Sequence, residues 1–134
     1  MSIAIWSSRF ETGIEAIDTQ HKGLFAAIND LAESFKGGSS QAQARESLAF
    51  LARYTVEHFQ AEERFMREAT YPAFAAHASD HANLVSRLRA FQDKEASGKV
   101  VTMDVAIFLL EWLKQHICDA DMRFVAFLKD QPRR

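Results

Sequence analysis

The sequence predicts an all-α fold, an antiparallel up-down-up-down four-helix bundle with an N-terminal arm. Three observations predict it. Apolar residues recur at helical spacing through four stretches of similar length. Turn-forming stretches near residues 38, 71 and 98 separate those four. Five glycines and two prolines are all that the 134 residues contain, so little else interrupts helical winding. Helices of similar length joined by short turns pack in alternating directions.

The arm runs from Met1 to about Ile17 and carries Gly13 and two early aromatics, Trp6 and Phe10. The first helix is expected from about Asp18 to Lys36, with Leu24, Phe25, Ile28, Leu31 and Phe35 at helical spacing. Gly37-Gly38-Ser39-Ser40 should end it and cap the next. The second helix covers about Gln41 to Ala69, where Leu48, Leu51, Val56, Phe59 and Met66 keep an apolar face. Tyr71-Pro72 breaks the pattern, because the residue before a proline is pushed out of helical geometry. The third covers about Ala73 to Ala96, with Leu84, Leu88 and Phe91, and Ser97-Gly98-Lys99 forms the next turn. Thr102 is the expected N-cap of the fourth, which runs to about Leu128. A single domain spanning residues 1–134 is expected.

Composition narrows the function classes. Hydrophobic residues make up 48% and charged residues 25%, as in an ordinary soluble globular protein. The formal charge is -2 and the basic residues are scattered, which argues against a nucleic-acid or anionic-membrane surface. Cys118 is the one cysteine, so no internal disulfide can form and a reducing compartment is expected. The stretch MSIAIWSSRF lacks the basic run and long apolar core of a secretory leader. The longest apolar run, Val105 to Leu110, is too short to insert across a membrane. A soluble cytosolic protein is the expectation.

The histidines carry the chemistry. His58 and Glu62 are four residues apart on the second helix, and His77 and His81 are four apart on the third. Residues at that spacing share one helix face, so each pair can point at a common centre. Ala78 stands where the zinc-protease motif needs a glutamate. Folding the chain at its three turns places His21, His58, Glu62, His77, His81 and His116 within ~15 Å of one another in height, at ~1.5 Å rise per residue. Buried imidazoles with carboxylates suit a borderline first-row metal rather than calcium or magnesium. Five imidazoles exceed what one tetrahedral zinc takes and suit two ions bridged by carboxylates. Glu62 is one such bridge. Glu63 is turned well away from the His58 face and is read as facing solvent.

Together these residues resemble the haemerythrin family, and in particular its single-domain bacterial members. The likeness runs through Trp6, Gly13-Ile14, Ile17-Asp18-Thr19-Gln20-His21, His58-Phe59-Gln60-Ala61-Glu62-Glu63, Tyr71-Pro72, His77 with His81, and Trp112-Leu113-Lys114-Gln115-His116-Ile117 with Asp121. The resemblance implies two non-haem iron ions bridged by an oxo or hydroxo group and by carboxylates. His77, His81 and His116 would hold one ion, His21 and His58 the other, and Glu62 and Asp121 would bridge them. Helical geometry alone favours Asp119, three residues after His116, over Asp121, five residues after it. A locally widened turn would reconcile the family's spacing with the helix. Phe124 stands where many relatives carry tyrosine.

The implied function is reversible binding of dioxygen, as carrier, store or delivery protein rather than enzyme. One bond from each imidazole, two from each bridging carboxylate and two from the oxygen bridge leave one position open on a six-coordinate pair, on the two-histidine ion. Reversibility requires a dry, tight pocket. Candidate walls are Leu24, Phe25, Phe59, Trp112, Leu113 and Ile117, of which Leu24, Phe59, Trp112 and Leu113 are favoured and any can equally be plain bundle core. Cys118 reads as a small filler and Tyr71-Pro72 as a turn. The alternatives are a di-iron oxidase or peroxidase, or a module for iron storage or for sensing iron, oxygen or nitric oxide. Di-iron oxidases of this architecture use Glu-x-x-His motifs with more carboxylates and fewer histidines. The expected ligand is dioxygen, with no nucleic acid, no membrane insertion, and an oxygen-consuming partner protein of unknown identity.

Overall fold

The computed structural model describes residues 2–36, 41–98 and 103–130. Helices α1 (Glu15–Glu33), α2 (Gln41–Glu68) and α3 (Phe74–Ala96) are followed by α4 (Met103–His116), a π turn (Ile117–Asp121) and α5 (Met122–Lys129). The backbone stays right-handed helical at His116, Asp121 and Met122, so α4, the π turn and α5 form one continuous rod. The result is a four-helix bundle, and no strand occurs among the described residues. α1 packs on α2 and α4, and α2 on α3. α3 meets α4 through Phe91 and Phe108, whose ring centroids lie 5.9 Å apart, with the Arg87 guanidinium over Phe108.

Helix α1 begins one turn earlier than expected, at Glu15. Asp18 explains the early start. Its Oδ1 accepts the Thr12 amide and hydroxyl, both at 2.8 Å, and its Oδ2 accepts the Gly13 amide at 3.2 Å. A carboxylate in the first turn also complements the positive end of the helix. Gly13 takes φ +86, which a side chain would resist, and so lets the chain turn into that contact. Further out, Asn29 clamps the arm by accepting the Ala4 amide at 2.8 Å and donating to the Ala4 carbonyl at 2.9 Å. Trp6, Phe10 and Phe25 pack with centroids 5.1–5.6 Å apart.

The turn between α2 and α3 shows why Tyr71-Pro72 breaks the helix. Thr70 takes φ 53, and the Tyr71 amide reaches back to the Met66 carbonyl at 2.9 Å while the Thr70 amide reaches Arg67 at 3.1 Å. That is the doubly bonded helix stop usually built on glycine, followed here by a proline that cannot continue the helix. The expected turn Gly37–Ser40, Lys99 and the expected cap Thr102 lie outside the described residues.

The core divides into two apolar clusters. The larger includes Leu24, Ile28, Leu48, Leu51, Leu84, Leu88, Leu109 and Leu113. The smaller comprises Ile17, Met66 and Phe124, covered by Tyr71, Phe74 and Phe127. A polar layer lies between them: Ile17 and Leu24 flank His21, Phe74 and Leu84 flank His77 and His81, and Leu113 and Phe124 flank His116 and Asp121. Burying such a layer between apolar slabs is costly unless its groups find partners.

Candidate metal centre

Every rod of the bundle sends side chains into this layer. α1 contributes His21, α2 His58 and Glu62, α3 His77 and His81, α4 His116, and the π turn Asp121. All seven are 7% exposed or less. Their donor atoms fall into two groups, Glu62, His77, His81, His116 and Asp121 in one, and His21, His58, Glu62 and Asp121 in the other. Within each group the donor atoms lie within 4.8 Å of one another.

The two carboxylates belong to both groups, and their oxygens divide the work. Glu62 Oε1 lies 2.7 Å from His77 Nε2 and 3.2 Å from His81 Nε2, whereas Glu62 Oε2 lies 3.6 Å from His58 Nε2 and 3.9 Å from His21 Nε2. Asp121 Oδ1 lies 3.0 Å from His77 Nε2 and 3.2 Å from His116 Nε2, and Oδ2 lies 3.1 Å from His21 Nε2. Each acid thus turns one oxygen toward two imidazoles of the first group and the other toward the second group, Glu62 toward both His21 and His58 and Asp121 toward His21.

The π turn makes this possible. In regular winding, a residue five places after His116 would point away from it, but the wider π geometry brings position five back to the same face. Asp121 is consequently buried at 1%. Asp119 is outside the cluster, its side chain 65% exposed and paired with Arg123 at 3.3 Å.

Other neighbours orient the imidazoles. His58 Nδ1 lies 2.6 Å from Gln20 Oε1, and His81 Nδ1 lies 2.8 Å from Glu63 Oε2. A glutamine oxygen or a carboxylate accepts, so each of these nitrogens carries the proton and leaves Nε2 free to donate its lone pair. Phe59 stacks on His81 at 3.7 Å and 3°, and Trp112 on His116 at 4.5 Å and 14°. Glu63 therefore corrects the solvent-facing expectation. It does point away from the bundle centre, but α3 occupies that direction. Gln20 stands in the family motif without an assigned role, and the signal for both was available: a metal-binding imidazole needs an acceptor for its second nitrogen.

Several buried atoms of the layer have no hydrogen bond among the described residues: His21 Nδ1 and Nε2, Glu62 Oε2, and both oxygens of Asp121. Orphaned carboxylate oxygens at this depth cost on the order of 1–3 kcal/mol each, and more when charged. Cations at the two foci would satisfy them, and the nitrogen-rich donor set fits iron better than a hard, oxygen-seeking ion.

Protonation in the metal-free chain follows the same geometry. Burial pushes His58 down to about 4, despite the opposing charge of Glu62. Burial also acts to lower His77, but the Asp121 and Glu62 carboxylates close against its Nε2 prevail and raise it to about 9. Asp121 is driven up by burial, yet His116, His21 and His77 outweigh that and hold it well below the ordinary carboxylate range. His77 contributes stability that is present below its unfolded value of ~6.5 and is lost as pH rises through 9. His58 refuses a proton that the unfolded chain accepts, so stability also falls between ~6.5 and 4. Urea midpoints of chelator-treated protein should therefore peak near pH ~6.5 and fall on both sides. A flat profile would contradict this electrostatic account.

Three of the favoured pocket residues, Leu24, Phe59 and Leu113, line one apolar cavity of about 10 Å³ with Ile28, Leu51, Thr55, Leu84 and Leu109. It lies one helical turn from His21, His58, His81 and His116. Trp112 is placed elsewhere. It touches Phe59 at 5.9 Å but is half-buried, beside an outer hollow lined with Asp80, Gln115, His116 and Asp119. Phe25 joins the aromatic contacts of the arm, Ile117 is fully buried in the larger cluster, and half-buried Cys118 packs against it. Phe124 packs on Tyr71 at 5.0 Å in the smaller cluster. Among the described residues, no helix is long and apolar enough to cross a membrane.

Comparison with known proteins agrees with this geometry. The family described as "Hemerythrin HHE cation binding domain" matches residues 12–128. The bacteriohemerythrin of Pseudomonas aeruginosa (strain UCBPP-PA14) is 31% identical over 125 residues, covering 93% of this chain and 81% of the relative. That of Methylococcus capsulatus (strain Bath) is 32% identical over 123 residues, covering 90% of this chain and 93% of the relative. A wild-type hemerythrin crystal structure superposes with a TM-score of 0.89 at 31% identity, covering 95% of this chain and 98% of that one. The chain belongs to the haemerythrin family.

Proposed function

We propose that the protein binds dioxygen reversibly at a di-iron centre, as a carrier, store or delivery protein rather than an enzyme. His77, His81 and His116 hold one ion, His21 and His58 the other, and Glu62 and Asp121 bridge them. The observation that carries this reading is the division of labour within the two carboxylates, each with one oxygen toward each histidine group. The three-to-two split leaves the second ion one protein donor short, and membership of the haemerythrin family supports reading that shortfall as the place for dioxygen. When bound, the iron pair supplies the two electrons that dioxygen takes up. The chain supplies the rest: fixed imidazoles, two shared acids, and an apolar slab that keeps water from the site.

The test is spectroscopic. Anaerobically reduced, iron-loaded protein should develop a visible charge-transfer band in air and lose it on removal of oxygen, over repeated cycles. A band that does not reverse, or steady oxidation of an added organic substrate, would overturn the carrier reading. Leu113 probes the dry slab. Leu113→Ala should cost ~2–5 kcal/mol of stability and enlarge the cavity toward the ~30 Å³ share of a water. Decay of the oxygenated form should accelerate about tenfold, equivalent to ~1.4 kcal/mol of barrier. An unchanged decay rate would remove Leu113 from the pocket.

A further inference from the structure

We infer that Glu63 is a positioning residue for the metal centre, holding His81 in the tautomer and ring orientation that present Nε2 to the ion. The inference rests on the two-ion reading and adds to it a residue outside the ligand set. Glu63 adjoins Glu62 on α2, and the two acids flank one imidazole from opposite ends. Glu62 Oε1 is 3.2 Å from His81 Nε2, and Glu63 Oε2 is 2.8 Å from His81 Nδ1. The Phe59 ring, parallel to the imidazole at 3.7 Å, fixes its plane. His81 is thus restrained at its outer nitrogen and across its face, and its Nε2 is left toward the cluster.

Among the described residues, His81 is the one clustered histidine whose Nδ1 meets a carboxylate. His58 is held at Nδ1 by the neutral amide oxygen of Gln20, at 2.6 Å, and His21 Nδ1 has no hydrogen-bond partner among the described residues. A carboxylate acceptor raises the donor strength of an imidazole more than an amide does, through the partial transfer of the shared proton. The three-histidine group therefore carries a charged anchor, while the two-histidine group carries a neutral one at His58 and none at His21. Glu63 also sits where solvent is at hand. It lines an open hollow of about 340 Å³ between α2 and α3, with Gln60, Ser86 and Arg89, and its side chain is 22% exposed. Its carboxylate nevertheless turns inward to His81.

The test compares Glu63→Ala and Glu63→Gln with the wild type. Cobalt(II) is added to metal-free protein against a competing chelator, and the cobalt absorption spectrum is read at each step. Glu63→Ala should weaken one of two binding steps roughly 10–100-fold, leave the other unchanged, and alter the spectrum of the weakened step. Glu63→Gln should recover part of the loss, because its amide oxygen still accepts from Nδ1. Two unchanged steps in Glu63→Ala would overturn the inference. So would equal weakening of both steps without recovery in Glu63→Gln, which marks a general loss of structure. Wild-type protein that takes up one cobalt ion would refute the two-ion reading separately, and the assignment of Glu63 would then be decided on that single affinity.

Discussion

Replacing Asp121 by alanine should strip the protein of most of its iron, whereas replacing Asp119 should leave iron content and spectrum at wild-type levels. The two acids stand two residues apart and differ in everything else. Asp121 is 1% exposed and faces His21, His77 and His116 at 3.0–3.2 Å. Removing it takes one oxygen from each group and leaves the imidazoles without half of their buried counter-charge, a loss on the order of 3–5 kcal/mol. Asp119 makes a solvated pair with Arg123, a contact worth about 0.5 kcal/mol within a helix. Metal analysis per chain and the air-dependent spectrum decide the ranking. The reverse order would transfer the bridge to Asp119.

His58→Ala should separate the two ions. His58 belongs to the two-histidine group and to no other, and its loss leaves that group with His21 and the shared acids. Iron content should fall from two ions toward one, and the air-dependent band should vanish because the donor-short ion is the one removed. The remaining fold should persist, at a stability cost of about 1–3 kcal/mol. Two retained ions with a normal band would reject the assignment of His58.

Much of this was legible in the sequence, for identifiable reasons. Helical rise and the positions of three turns placed six of the seven clustered side chains at one depth, because both quantities are local. The bundle followed from the same periodicity. Asp121 was legible only through the family resemblance, since regular winding favours Asp119; the π turn between Ile117 and Asp121 supplies the missing rotation. Glu63 was misplaced because one helix viewed alone does not reveal what packs beside it. The Asn29 clamp on Ala4 joins residues 25 apart, and no periodicity reports such a contact. Trp112 carried the family signature but lies against the outer face of His116 rather than in the cavity that Leu24, Phe59 and Leu113 share.

The π turn also bears on how this protein could be shortened. It inserts one surplus residue into the fourth rod, so five steps along the chain do the angular work that four steps do in a regular helix. Excising one solvent-facing residue there, Asp119 being the obvious choice, would let the rod rewind evenly while its inward carboxylate and everything downstream kept their bearings. The family's five-residue interval is in that sense a matter of spelling. What the cluster demands is the direction of the acid, and a shorter chain could meet that demand.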